Sequence, residues 1–354
     1  MKRRLFALAL GLTLLCSCAS RTPAPTAAST PEPTPAPTAT PAAQTSTPEP
    51  ADFFRTRVSM LKGPTGLGCA RLMEESGADG SPDHPYAFTV YADPTQAVAA
   101  LTKGEVDIAA LPTNLASTLY HKLDGGIQLL ALNTYGVLYI LENGDTVHSI
   151  ADLRGRTIHA YGQGANPEFV LNYLLEQNGL DPDSDVDVRW HATSDEVSAL
   201  MAEGEGDVCM LPVPAATGLL IKSKEVRSAL DLTREWDNAG GDGALTMGCL
   251  VVRTDFAREN PQAVETFLEQ YENSIAYMTD PDNLSDAAVL AEKQGIVPKA
   301  AVAERAIPDA NLCFVTGDDM MADIQGYYQV LFQADPASIG GSIPDGAFYY
   351  GLNK

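Results

Sequence analysis

Residues 104–117 read Gly-Glu-Val-Asp-Ile-Ala-Ala-Leu-Pro-Thr-Asn-Leu-Ala-Ser, and residues 204–217 read Gly-Glu-Gly-Asp-Val-Cys-Met-Leu-Pro-Val-Pro-Ala-Ala-Thr. Gly104, Glu105, Asp107, Leu111, Pro112 and Ala116 are matched without a gap by Gly204, Glu205, Asp207, Leu211, Pro212 and Ala216. Each copy spells a helix ending in Gly, a short acidic turn, an apolar strand, a Pro and a new helix of small residues. A unit of about 100 residues repeated once is too long for a solenoid. It predicts two α/β lobes of similar topology with a cleft between them. Chance similarity of common helix-Gly-strand-Pro punctuation is the alternative.

Outward from the repeat, the pattern keeps the same order. Strands are expected over 58–62, 86–92 and 107–111, with helices after the glycine-rich turn 63–68, over 94–103 and over 115–122. Apolar runs at 127–133 and 137–141 follow, broken at Tyr135-Gly136. A second cycle then begins: strands at 157–161, 186–191 and 208–211, helices at 167–177, 195–202 and 215–222. Strands alternating with helices at this pitch predict a parallel sheet with crossover helices. An apolar strand over 245–253 would return the chain to the first lobe, and the remainder reads as mostly helical. The expected division is therefore 53–141 with 246–354 for one lobe and 142–245 for the other.

The amino-terminal segment belongs to targeting rather than to the fold. Lys2, Arg3 and Arg4 precede an apolar run from Leu5 to Leu15 that is too short to span a bilayer as a mature helix. The following Leu15-Cys16-Ser17-Cys18 resembles the lipobox of bacterial lipoproteins, which implies a signal peptide over 1–17 and lipidation at Cys18. Cys16 is the poorer candidate because bulky Leu15 precedes it. Residues 18–52 are dominated by Pro, Thr, Ala, Ser and Glu, a composition that buries little apolar area and favours extended conformations. The expected picture is a globular head on a disordered tether at the extracytoplasmic face of the cell membrane.

The chain carries 46 Asp and Glu against 23 Lys and Arg, a formal net charge of −23. That field has the wrong sign for nucleic acid or for docking on anionic lipid. Cys69, Cys209, Cys249 and Cys313 have no zinc or iron–sulfur spacing, and His84, His121, His148, His159 and His191 are scattered. No metal or cofactor is expected. Gly-x-Ser-x-Gly, His-Glu-x-x-His and Cys-x-x-Cys motifs do not occur, so a binding protein is expected rather than an enzyme.

The lipobox and tether, the strand leading into Gly63-Pro64-Thr65-Gly66-Leu67-Gly68, the paired Gly-Glu-x-Asp motifs and the run Met247-Gly248-Cys249-Leu250-Val251-Val252 together resemble one family. It is that of substrate-binding lipoproteins of ABC importers, in the nitrate/sulfonate/taurine and thiamine-precursor-like group. The resemblance covers roughly residues 55–354. It implies a two-lobed fold of the type II periplasmic-binding-protein kind that closes by hinge motion on a small polar ligand. It also implies a monomer that delivers its ligand to a permease and ATPase. A ligand-sensing subunit, or less readily an enzyme on the same fold, would share these features.

In open α/β sheets ligands bind outside the carboxyl ends of strands. Four loops qualify. In the first, Thr65 offers a hydroxyl and Gly66 lets backbone approach closely; the turn lacks the Lys-Ser/Thr ending of a nucleotide loop. Asn114 lies in the matching loop of the first repeat copy. Gly164 and Asn166 lie in the turn entering the 167–177 helix, and Pro214 in the second copy. Asn114 and Asn166 serve equally well as helix caps. Tyr135, where the chain leaves the first lobe, would line the cleft or act in the hinge. The expected ligand set is Thr65, Gly66, Asn114, Tyr135, Gly164, Asn166 and Pro214. Trp190-His191 reads as core packing more readily than as a stacking platform. None of the four loops holds Arg or Lys, so a bidentate clamp for a fully ionised anion is not evident.

Overall fold

The computed structural model describes residues 55–352 except Asp79, Gly241 and Asp242. The signal peptide expected over 1–17, the expected lipidation site Cys18 and the tether expected over 18–52 lie outside the described residues.

Eleven strands form two sheets among the described residues. In chain order they are β1 (Thr56–Leu61), β2 (Tyr86–Tyr91), β3 (Ile108–Pro112), β4 (Ile127–Tyr135), β5 (Leu138–Asn143), β6 (Thr157–Tyr161), β7 (Asp187–His191), β8 (Val208–Pro212), β9 (Val226–Asp231), β10 (Thr246–Arg253) and β11 (Leu312–Val315). The first sheet has the order β11-β4-β10-β3-β1-β2 and the second β7-β6-β8-β5-β9. The halves built on them are the first and second lobes.

The repeat is visible in both sheets. β1 lies parallel between β2 and β3, and β6 lies parallel between β7 and β8. The helices Pro94–Thr102 and Ser194–Ala202 end alike: Gly104 and Gly204 take left-handed φ values of 71° and 74°. The next N–H returns to Ala100 O in one copy and to Leu200 O in the other, at 2.8 and 3.1 Å. A glycine is required there because the turn needs positive φ. The aspartates diverge. Asp107 is buried and accepts from Arg57 Nε and Nη2, whereas Asp207 is exposed.

The sheets are mixed rather than wholly parallel. β10 runs antiparallel to β3 and β4, and β5 antiparallel to β8 and β9. These are the strands that arrive from the opposite lobe. Each enters at the edge where its neighbours' carboxyl ends lie, so each must run against them. β5 belongs to the second sheet, so the chain passes between lobes at Tyr135–Leu138, ahead of the boundary expected near Glu142. The apolar run over 137–141 suits either sheet, and hydropathy alone does not assign it. The return falls just before Thr246.

The two lobes share one core. Its cluster includes Leu111, Leu132 and Cys249 of the first sheet and Ile158, Ala160 and Met210 of the second. The helix Gly317–Ala334 joins them through rings. Tyr327 lies 5.6 Å from Trp236, which lies 4.8 Å from Tyr173 of the helix Asn166–Gln177. A smaller contact of Val137, Val213 and Ala306 bridges the lobes elsewhere. A second cluster covers the outer face of the first sheet with Phe267, Tyr271 and Ile275 of the helix Pro261–Thr279.

Candidate functional site

Thr246 pairs with Tyr135 and Gly248 with Pro112, so the amino end of β10 lies beside the carboxyl ends of β3 and β4. Leu138 pairs with Pro212 at the carboxyl end of β8, and this is the junction where the chain passes between the lobes. At that junction Asn166 crosses from the second lobe to the first. Its Nδ2 donates to Thr113 Oγ1 and to the Met247 carbonyl, both at 3.1 Å. Thr113 Oγ1 in turn donates to the Thr246 carbonyl at 2.7 Å, and the Tyr328 hydroxyl donates to the Thr113 carbonyl at 2.8 Å. Thr113 and Thr246 are fully buried and Asn166 is 1% exposed. Asn166 Oδ1, Thr246 Oγ1 and the Tyr327 hydroxyl are buried there without a hydrogen-bond partner. The Tyr327 hydroxyl approaches the Thr113 side chain, though burial dominates and raises its pKa.

Asn166 is therefore not a helix cap. The cap position of the helix Asn166–Gln177 is Ala165, and Asn166 is the first helical residue with its carboxamide directed across the junction. Thr65 joins the neighbourhood from the other side. Its carbonyl accepts from Asn133 Nδ2 at 3.1 Å. A Cβ on Gly248 would stand 3.0 Å from the Thr65 hydroxyl oxygen and 2.6 Å from Asn133 Oδ1, so the bare Gly248 is what lets Thr65 approach β10. Gly66 has a packing duty: a Cβ there would lie 2.0 Å from the Leu61 carbonyl oxygen.

The other expected residues are placed differently. Asn114 is buried, but its Nδ2 points to the Ser338 carbonyl at 3.5 Å, within the first lobe, and its Oδ1 has no partner. The Tyr135 hydroxyl donates to Asp323. Gly164 is exposed, takes φ 74° and donates its N–H to Glu168. Pro214 caps the helix Ala215–Lys222 beside buried Val213. Thr113, Thr246 and the Met247 carbonyl were not singled out by the sequence. Thr113 carried one signal, its place directly after the repeated Leu-Pro; a backbone carbonyl carries none.

Burial, then the Asp93 carboxylate after β2, raise the Tyr161 hydroxyl at the end of β6. On the far side, burial followed by Asp231 and Asp309 pushes Tyr139 up to about 12 against a smaller opposing effect of Arg234.

Two open hollows lie elsewhere. One of ≈ 550 Å³ runs along Glu265, Glu269 and Glu272, and one of ≈ 390 Å³ sits at the amino ends of β6 and β8. His159 Nδ1 and His191 Nε2 meet at 3.0 Å on neighbouring strands, a pairing invisible in their sequence separation. Burial, then His191, lowers the His159 pKa. Trp190 is half-buried against the shared core. The four described cysteines are free thiols; burial pushes Cys209 and Cys313 up to about 12. No group of three or more His, Cys, Asp or Glu placed to hold a metal ion occurs among the described residues. No described helix is long and apolar enough to cross a membrane.

Two lobes, two sheets of matching order and a junction at strand carboxyl ends define the type II periplasmic-binding-protein fold. Solved structures agree. A protein described as an ABC transporter from Parabacteroides distasonis is 22% identical, with a TM-score of 0.70 over 83% of this chain and 98% of its own. The periplasmic aliphatic sulphonate binding protein SsuA from Escherichia coli is 16% identical, with a TM-score of 0.64 over 80% of this chain and 93% of its own. The periplasmic nitrate-binding protein NrtA from Synechocystis PCC 6803 is 13% identical, with a TM-score of 0.57 over 83% of each chain. No curated protein matches the sequence. The chain belongs to the NMT1/THI5 like family, whose model matches residues 86–284.

Proposed function

We propose that the chain is an extracytoplasmic solute-binding lipoprotein, anchored through Cys18, that captures a small polar molecule between its lobes. It then delivers that molecule, chemically unchanged, to the permease and ATPase of an ABC importer. The observation that carries the reading is the buried junction at Asn166, where side chains of both lobes meet and two polar atoms, Asn166 Oδ1 and Thr246 Oγ1, stay unpaired. Buried polar groups are normally hydrogen-bonded, and each exception calls for a reason. A bound solute supplies one. The fold shared with proteins named for sulphonate and nitrate binding supports it, as does the lipobox-like amino terminus.

Alanine substitution tests the site. Asn166→Ala removes the side chain that crosses the junction and the acceptor it offers a solute. It should weaken solute binding by roughly 0.5–1.5 kcal/mol, the worth of one neutral hydrogen bond. Thr65→Ala should weaken it by about one such bond. Asn114→Ala, tied to Ser338 instead, should mainly lower the melting temperature. Calorimetric affinities and melting curves on all three variants separate the effects, and unchanged affinity throughout rejects the site. Anchoring is tested apart from it. Cys18→Ala should abolish fatty-acid labelling and release the head from the membrane fraction; persistent labelling would assign the anchor to Cys16.

A further inference from the structure

We infer that the solute is an uncharged molecule pairing an N–H donor with a neighbouring carbonyl or ring-nitrogen acceptor, as in an amide, urea or lactam, rather than an oxyanion. The inference rests on the solute-binding reading above. Its core is the orientation of Asn166. The Nδ2 group faces the Met247 carbonyl, which only accepts, and Thr113 Oγ1, whose proton is committed to the Thr246 carbonyl. Flipping the carboxamide would set Oδ1 against the Met247 oxygen, so Oδ1 is fixed as the buried, unpaired atom. It accepts and never donates. An anionic oxygen brought to it would meet repulsion, whereas an N–H would satisfy it.

The rest of the junction agrees. None of the side chains bonded or unpaired there (Thr113, Asn166, Thr246, Tyr327 and Tyr328) is ionised. Burying a charged solute without a counter-charge costs far more than burying a neutral, hydrogen-bonded one. The solute still needs an acceptor. The helices Thr113–Lys122 and Asn166–Gln177 both begin at this junction, and their first-turn N–H groups favour an oxygen or ring nitrogen of partial negative charge. The Thr246 and Tyr327 hydroxyls serve either partner. A donor beside an acceptor in one neutral group meets all of these demands.

The test measures binding of two probe sets to the full mature protein by calorimetry: nicotinamide, cytosine and allantoin against ethanesulfonate, nitrate and bicarbonate. Binding from the first set alone is expected. Thr246→Val and Asn166→Ala should each weaken it by about tenfold. Thr246→Val keeps the side-chain shape and removes a buried unpaired hydroxyl, so its melting temperature should rise by about 2 °C while its affinity falls. That opposite movement separates a lost contact from a damaged fold. Binding of an anion that is lost in the same variants overturns the solute class and leaves solute capture standing. If neither set binds, the class is overturned as well. Native mass spectrometry then decides the broader reading: a different solute retained at one per chain upholds capture, and none retained overturns both.

Discussion

Gly66→Ala is expected to destabilise the protein by about 3 kcal/mol or more and to abolish high-affinity solute binding. The added Cβ would lie 2.0 Å from the Leu61 carbonyl oxygen and 3.2 Å from Ile296 Cγ2. The first of these contacts is with backbone, which cannot rotate away as a side-chain end would. Relief requires the turn Pro64–Leu67 to lift from the end of β1. Thr65 would move with it, although Asn133 grips its carbonyl and Gly248 leaves room for it at β10. Gly164→Ala provides the contrast. Gly164 has positive φ but nothing within 4 Å of its would-be Cβ, so that variant should lose only about 1–2 kcal/mol. Urea midpoints and calorimetry on both variants read the difference. If Gly66→Ala unfolds at the wild-type midpoint, the close approach to Leu61 does not control this turn.

The repeat is legible because it is written in residues whose conformational demands are local. Gly104 and Gly204 must take positive φ, and Leu-Pro ends both β3 and β8. The return strand is equally plain, since Cys249-Leu250-Val251-Val252 is an unbroken apolar run and β10 spans Thr246–Arg253. The edge strands are not. β9 has only Val226 and Leu230 buried, and β11 has no buried residue, so neither leaves a clean hydrophobic pattern. Among site residues, Asn166 and Thr65 stood in the loops that strand direction favours, and both lie at the junction. Asn114 did not follow, because the segment around Ser338 packs over its helix from more than two hundred positions away. Nothing near Asn114 in sequence announces that contact. The same holds for the Thr246 and Met247 carbonyls, which become partners only once β10 is inserted between β3 and β4. Local rules locate loops; long-range strand order decides which of their side chains meet.

Acid should remove about 3 kcal/mol of stability through one residue, Glu142. Its carboxylate is buried at the start of the turn between β5 and the rest of the second lobe. Burial by itself pushes the carboxyl up. The Thr146 hydroxyl, the Val147 and Thr146 N–H groups and the Arg227 guanidinium outweigh it and hold the pKa at about 2, below the ordinary 4.5. Arg227 reaches Oε2 at 2.7 Å from β9, and also holds the Gly144 and Val147 carbonyls, so the group ties an edge strand to the turn. A carboxyl whose folded pKa is depressed stabilises the fold above its unfolded pKa. That contribution is fully present above about pH 5 and drains away as the pH falls toward 2. Glu142→Gln should therefore unfold at lower urea than wild type at pH 7, by about 3 kcal/mol, and the gap should narrow markedly by pH 3. Taking the difference cancels other carboxylates with lowered pKa values, such as Asp152 and Asp255, which both proteins share. A gap of the same size at pH 7 and pH 3 would show that Glu142 acts by shape alone, and that its charge does not hold β9 to the turn.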